Sequence, residues 1–290
     1  MSFKSLDEIV KRCKDQNKDF FEVILEDDMK ERHVTREESL NKMSVMYESM
    51  KKAHNAYDAR LHSQSGLVGG DGAKMLQAAQ DGTLLSGNFI GQVMASAIMM
   101  GESNACMKRI VAAPTAGSCG VVPAVFLTIQ KQQSISDEKM VQAMYVVAGI
   151  GQVIATRAFI SGAEGGCQAE IGSASAMAAG GLTYLKGGDP TVICHSSAMA
   201  LKNLLGLACD PVAGLVEVPC VKRNVIGAIN AISCTDMAIA GLTSAIPPDE
   251  VIDAMREIGI NMPLAIRETG EGGLAGTRTG CKIKESLEHY

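Results

Sequence analysis

The segments at 89–101, 120–131, 140–160 and 172–183 are long, apolar and built largely from Ala, Met and Gly, with little of the β-branched alternation that a half-buried strand needs. Runs of that length and make-up specify buried helices, and their small side chains let helix axes approach closely. Trp is absent, aromatic residues make up 4% of the chain, and Gly (30) and Met (17) are plentiful. Flexible Met fills the irregular gaps that such packing leaves. The expected fold is mainly α: a single compact multi-helix domain over residues 1–290, long enough to bury a large core. Gly/Pro-rich loops at 113–119, 161–167, 186–190 and 209–219 punctuate the helices.

Further helices are expected from Ala73, over 225–243 and near 249–258, where Pro247-Pro248-Asp249 suits a first helical turn. Residues 1–60 are charged with a helical period and read as a peripheral layer of two or three helices. Within it, Ser5 with Glu8 and Thr35 with Glu38 fit capping boxes, in which a hydroxyl and a carboxylate satisfy free N–H groups at a helix start. The tail at 269–290 opens with a stretch, Thr269 to Cys281, too rich in Gly for regular structure. No linker, repeat or low-complexity break divides the chain.

A net charge of −5 argues against a nucleic-acid partner, which would call for clustered Lys and Arg. The apolar stretches Phe89–Met100 and Met140–Ile160 are not membrane spans: the first is too short, and the second carries Gln142, Gln152 and Arg157. The polar start of the chain lacks a secretory signal, and nine cysteines is an odd number for a disulfide scaffold. Reduced thiols in the cytoplasm are the better reading.

Three cysteines lie in Gly/Pro-rich loops: Cys167 in Gly-Ala-Glu-Gly-Gly-Cys-Gln-Ala-Glu, Cys209 in Leu-Ala-Cys-Asp-Pro-Val-Ala-Gly, and Cys220 in Glu-Val-Pro-Cys-Val-Lys-Arg-Asn. Thiolates held on such rigid loops can grip zinc or an iron–sulfur cluster, and three ligands in place of four leave a coordination position open. Their separations of 42 and 11 residues match neither a zinc ribbon nor a ferredoxin run, so ligation and plain packing both stand on the residues alone. Cys13, Cys106, Cys194 and Cys234 read as small hydrophobes; Cys119 reads as packing or as site lining.

Ser65-Gly-Leu-Val-Gly-Gly70 precedes a helix and resembles an anion site, since free N–H groups at a helix start attract carboxylate or phosphate. The plainer reading is a helix-start turn; it is neither a dinucleotide fingerprint nor a Walker sequence. For a general base, His62 adjoins this loop and His195 opens the helix leading to Cys209, although a histidine near a site is more often a structural hydrogen-bonding group. His33 and His289 lie in charged terminal segments and read as exposed. A base from a second chain is the remaining source.

Four stretches in order resemble the α, or catalytic, chain of the iron–sulfur-dependent L-serine dehydratases: Ser65–Gly70, Ala113–Val125, Glu164–Ala174 and Cys209–Asn224. The resemblance covers most of the chain after about residue 60 and implies a largely helical domain around a cluster site. It implies that Cys167, Cys209 and Cys220 bind a [4Fe–4S] cluster whose fourth iron is free for substrate. The implied reaction is β-elimination of water from L-serine, giving pyruvate and ammonia. It favours Ser65, Gly66, Thr115 and Ser118 for the substrate carboxylate. Cys281 resembles a tail cysteine that caps the open iron until substrate displaces it, but nine residues follow it here. A separate regulatory β chain is implied as partner, making a hetero-oligomer. Related readings are a cluster lyase acting on L-cysteine or another small amino or hydroxy acid, and an electron-transfer or sensor protein with four cysteine ligands. Structural zinc is the blandest alternative. Pyridoxal-phosphate chemistry lacks a convincing lysine beside a phosphate loop, Lys74 after Gly72 being the nearest approach.

Overall fold

The structure, a computed structural model, describes residues 2–287. Among these residues all regular structure is helical, and no helix is long and apolar enough to cross a membrane. The expected mainly α fold is what forms.

The apolar segments become α5 (Gly87–Ala105), α6 (Val121–Gln133), α7 (Asp137–Arg157) and α9 (Ser173–Leu185). Around them lie α4 (Asp71–Gln80), the single turn α8 (Gly162–Gly165), α10 (Pro190–Lys202), α11 (Cys220–Ile239) and α12 (Pro248–Asn261). Helix α9 is the centre of the core, buried from Ser173 to Tyr184 on every face, as expected of a helix apolar all round. Glycines make that possible. A Cβ on Gly181 would lie 2.5 Å from Phe126 Cζ of α6 and 2.7 Å from Val147 of α7, and one on Gly180 would strike Ile150 of α7 and Ser197 of α10. Ser175 Oγ donates to the Gly227 carbonyl of α11 (2.8 Å), which satisfies a hydroxyl that α9 would otherwise bury unpaired.

The first sixty residues form three helices, α1 (Leu6–Gln16), α2 (Phe20–Arg32) and α3 (Arg36–Asn55). They reach further inward than a peripheral layer: Ile24 Cδ1 fills the space beside Gly149 of α7, where a Cβ would lie 2.7 Å away, and Ser39 Oγ meets the Tyr145 hydroxyl at 2.7 Å. The Thr35–Glu38 capping box is complete, with Glu38 N–H donating to Thr35 Oγ1 (3.3 Å) and Thr35 N–H to Glu38 Oε2 (2.8 Å). The Ser5–Glu8 box is half formed. Glu8 N–H donates to Ser5 Oγ, but the Glu8 carboxylate accepts from Lys4 N–H, and Asp249 of α12 takes the N–H groups of Leu6 and Asp7.

Two expectations need correction. His195 sits in the middle of α10, which begins at Pro190 behind its Asp189 cap. The tail does not stay irregular: α13 (Arg278–Leu287) follows the glycine stretch, with Cys281 in its first turn. His289 lies outside the described residues.

Four connections meet in one region of the molecule: 113–120, 158–167, 203–219 and 262–277. Cys209 N–H donates to the Ile266 carbonyl and Glu268 N–H to the Cys209 carbonyl, both at 2.8 Å, a short parallel bridge between two of them. Gln168 N–H donates to the Leu207 carbonyl (3.0 Å), tying a third to the same place.

Candidate functional site

Cys167 ends the Gly-rich turn that follows α8, Cys209 lies on the bridged strand-like connection, and Cys220 is the first residue of α11. All nine cysteines are free, and these three are buried. Cys209 Sγ lies 4.0 Å from the Glu170 carboxylate, and Cys167 and Cys220 are near enough for their charges to act on the Cys209 thiol. Burial pushes the thiols of Cys167 and Cys220 up to about 12, and burial with the two neighbouring thiols and Glu170 raises Cys209 further. Neutral thiols are thus the favoured form until a cation compensates the thiolates.

One cation is already there. Arg223 of α11 interacts with the Cys167 sulfur, donates to the Ala208 carbonyl (2.7 Å) and pairs with Asp210 (2.8 Å). Asp210 accepts from Leu274 N–H (2.8 Å), so the glycine stretch after α12 is pinned over the Cys209 loop. Gly273, in the left-handed region at φ +58°, allows that close approach: a Cβ would strike the Asp210 carboxylate.

Glu170 is a second charged residue of the centre. It lies on a π-helical turn, Gln168–Gly172, directly after Cys167. Such turns insert an extra residue and often re-aim side chains at functional sites. Its carboxylate is 4.0 Å from Cys209 Sγ and accepts from Thr115 Oγ1 at 2.7 Å. Burial raises its pKa, partly opposed by the Thr115 hydrogen bond and reinforced by Glu268. Thr115 and Ser118 therefore do sit at the cysteine centre, their hydroxyls 3.1 Å apart. Asn224 holds their loop in place: its Nδ2 donates to the carbonyls of Gly117 (2.9 Å) and Cys220 (3.0 Å), and its Oδ1 accepts from Gly120 N–H (2.8 Å).

Ser65 and Gly66 belong to the loop before α4. The Ser63 and Ser65 hydroxyls both donate to Glu217, a buried carboxylate three residues before Cys220. A cavity of about 640 Å³ opens beside them, lined by Ser63, Ser65, Gly66, Met107, Leu215 and Lys284. The helix start behind this loop does attract a carboxylate, but an internal one: the N–H groups of Asp71 and Gly72 donate to Glu102 of α5 (2.8 and 3.2 Å), which also accepts from the Tyr57 hydroxyl.

The remaining sequence candidates make contacts with other groups. His62 is exposed, with Nδ1 3.3 Å from the Arg60 carbonyl. His195 Nδ1 accepts from Ser244 N–H (3.2 Å), a structural hydrogen bond. Cys281 is exposed and its sulfur contacts the Ala275 carbonyl at 3.8 Å. Cys119 is packing, fully buried against Ala53, Met100 and Ile110. Sequence reasoning assigned no role to Glu170, Asp210, Glu217, Arg223 or Asn224. The available signal was polar residues inside the same Gly/Pro-rich stretches as the cysteines.

The donor set suits an iron–sulfur cluster: three thiols and no imidazole, the soft ligands such clusters take. Space beside Cys209 is kept by Gly162, where a Cβ would lie 2.7 Å from the sulfur and 3.0 Å from Glu170 Oε2. Among the described residues no three His, Cys, Asp or Glu side chains converge closely enough to hold a single metal ion.

Fold and site together define an all-helical protein that carries three buried thiols, a carboxylate and two hydroxyls on its connecting loops and the helix starts that follow them. The family described as serine dehydratase alpha chain matches residues 15–275, and the chain belongs to that family. It is 44% identical over 285 residues to a probable L-serine dehydratase alpha chain of Bacillus subtilis (strain 168), covering 98% of this chain and 95% of the relative. It is 41% identical over 284 residues to the L-serine dehydratase alpha chain of Peptoniphilus asaccharolyticus, covering 97% and 96%. An L-serine dehydratase of Escherichia coli (strain K12), TdcG, is 43% identical over 190 residues, 65% of this chain and 42% of the relative.

Proposed function

We propose that this chain is the catalytic chain of an L-serine dehydratase, a lyase that removes water from L-serine to give pyruvate and ammonia, and that Cys167, Cys209 and Cys220 hold a [4Fe–4S] cluster in it. The observation that carries this reading is the set of three buried thiols, with Cys167 and Cys220 acting on Cys209, beside Glu170, Thr115 and Ser118. When bound, the cluster supplies a Lewis-acidic iron with an open position, the chemistry that eases loss of hydroxide and of a weakly acidic Cα proton.

The chain's own groups do the rest. Arg223 offsets thiolate charge and fixes the Cys209 loop through Asp210. Ser118 Oγ offers a donor to the substrate carboxylate, as does Thr115 Oγ1 once it turns from Glu170, with Ser65 and Gly66 at the adjoining cavity as the outer contacts. Glu170 stands where a proton can be accepted or returned, and burial raises its pKa. It is a better-placed proton carrier than His195, whose Nδ1 is engaged by Ser244; His62 remains a candidate at the edge of the Ser65 loop. The aminoacrylate released after loss of water tautomerises and hydrolyses to pyruvate and ammonia. A β chain completes the enzyme as a cytoplasmic hetero-oligomer.

The test is anaerobic reconstitution with iron and sulfide, with and without the β chain, followed by assay of pyruvate from L-serine. Broad visible absorption with oxygen-labile pyruvate formation is expected, and Cys167→Ala should abolish both. A stable cluster that exchanges electrons but yields no pyruvate, even with the partner, overturns the lyase.

A further inference from the structure

Two carboxylates reach the space beside Cys209. A Cβ built on Gly162, the first residue of α8, would lie 2.7 Å from Cys209 Sγ, 3.0 Å from Glu170 Oε2 and 3.2 Å from Glu268 Oε2. The thiol and the two acids therefore stand around one point, which glycine keeps clear. Glu170 has a partner, accepting from Thr115 Oγ1 through its other oxygen. The Glu268 side chain makes no hydrogen bond or ion pair among the described residues.

The backbone aims Glu268 there against its own preference. Its φ of +64° lies in the left-handed region, which a residue with a Cβ adopts rarely. Its N–H donates to the Cys209 carbonyl (2.8 Å), so the acid and the thiol are fixed to each other by the chain itself. Conformations of this kind persist where the surroundings impose them, and they gather at working sites.

What these acids lack is a cation. Arg223 is committed to Asp210, the Ala208 carbonyl and Cys167. Arg267, the residue before Glu268, turns its guanidinium to the Glu164 carbonyl (3.4 Å). Two like charges around one point oppose each other, and a positive group brought by a ligand relieves both. The lyase reading gives the carboxylate of L-serine to Ser118 and Thr115, and its α-ammonium still needs an acceptor.

We propose that Glu268 is the specificity-determining residue of this site, accepting a hydrogen bond from the α-ammonium of L-serine, with Glu170 as the second acid facing it. The site thereby selects amino acids over hydroxy acids of the same size. The inference takes its substrate from the lyase reading, but ligand binding tests it without turnover.

The experiment reconstitutes the full chain with its β chain anaerobically and measures, by calorimetry, binding of L-alanine and of 3-hydroxypropionate. The first keeps the ammonium of serine without the hydroxyl; the second keeps the hydroxyl without the ammonium. Glu268→Gln preserves the size of the side chain and removes its charge. It should bind L-alanine about tenfold more weakly, the worth of a hydrogen bond to a charged group. Binding of 3-hydroxypropionate should be unchanged or tighter, because a negative charge has gone. KM for L-serine should rise by a similar factor, with kcat changing less. Cluster absorbance and melting temperature report whether the variant is loaded and folded. If it is not, Glu268→Asp, which keeps the charge on a shorter arm, is read with the same two ligands, L-alanine alone being weakened. Equal weakening of both ligands would mean that Glu268 only holds its loop, and no change in either would mean that it does not meet the substrate. Either result overturns the proposal, as does a parent enzyme that binds neither ligand at tens of millimolar. Absence of pyruvate from L-serine, with the L-alanine result intact, strikes the lyase reading alone.

Discussion

At Arg223 one guanidinium serves three groups: the Asp210 carboxylate, the Ala208 carbonyl and the Cys167 thiol. The two side chains of the ion pair are 13% and 8% exposed, so water cannot take over if one partner is lost. Arg223→Met keeps most of the volume and strands Asp210; the expected cost is about 3–5 kcal/mol, read as a lower urea midpoint at unchanged slope. A loss under about 1 kcal/mol would place the pair with solvent-screened bridges instead. The cysteines themselves could be singled out from sequence because Cys167, Cys209 and Cys220 stand among glycines and prolines that announce rigid, closely packed loops. Arg223 and Glu170 could not. An Arg or Glu normally faces solvent, and nothing in the neighbouring residues encodes that these two are buried; their partners are Asp210, 13 residues away, and Thr115, 55 residues away.

Helices were the most legible level, because a long apolar run without β-branched alternation allows few other solutions. Small residues were read correctly as a packing signal, and Gly181 turns that into a measurable claim. Alanine is the better helix former by about 1 kcal/mol. Its methyl would nonetheless lie 2.5 Å from Phe126 Cζ, and overpacking in a filled core costs about 1–3 kcal/mol. Gly181→Ala should therefore lower the melting temperature; a rise would mean that Phe126 yields freely. Where local reading failed, tertiary partners had intervened. The free N–H groups at the start of α4 suggested an external anion, yet Glu102 from α5 supplies the carboxylate. The count of glycines at 269–281 hid α13, whose span Arg278–Leu287 contains only Gly280 and is otherwise free of helix breakers. The π-helical turn that presents Glu170 has no distinct sequence signature at all.

Taken as one molecule, the chain wraps its helices around α9 and collects its irregular connections where the thiols meet. Those connections are joined by few bonds of their own, chiefly the Cys209–Arg267 bridge and the Asp210 contacts. A group bound by Cys167, Cys209 and Cys220 would therefore add stability as well as chemistry, since binding to the folded state alone raises its stability. Anaerobic stripping of iron from the reconstituted chain with a chelator is expected to lower the melting temperature by several degrees, measured without any assay of activity. An unchanged value would mean that the loops hold themselves. From the sequence alone came the mainly helical fold, the family resemblance and the three thiols, because each is written in runs of adjacent residues. The tertiary structure alone decided that Glu170 and Arg223 flank those thiols, that His195 is engaged elsewhere, and that the Ser96 hydroxyl is buried unpaired. Those facts depend on contacts between residues distant in the chain, and burial and pairing exist only once such residues are packed together.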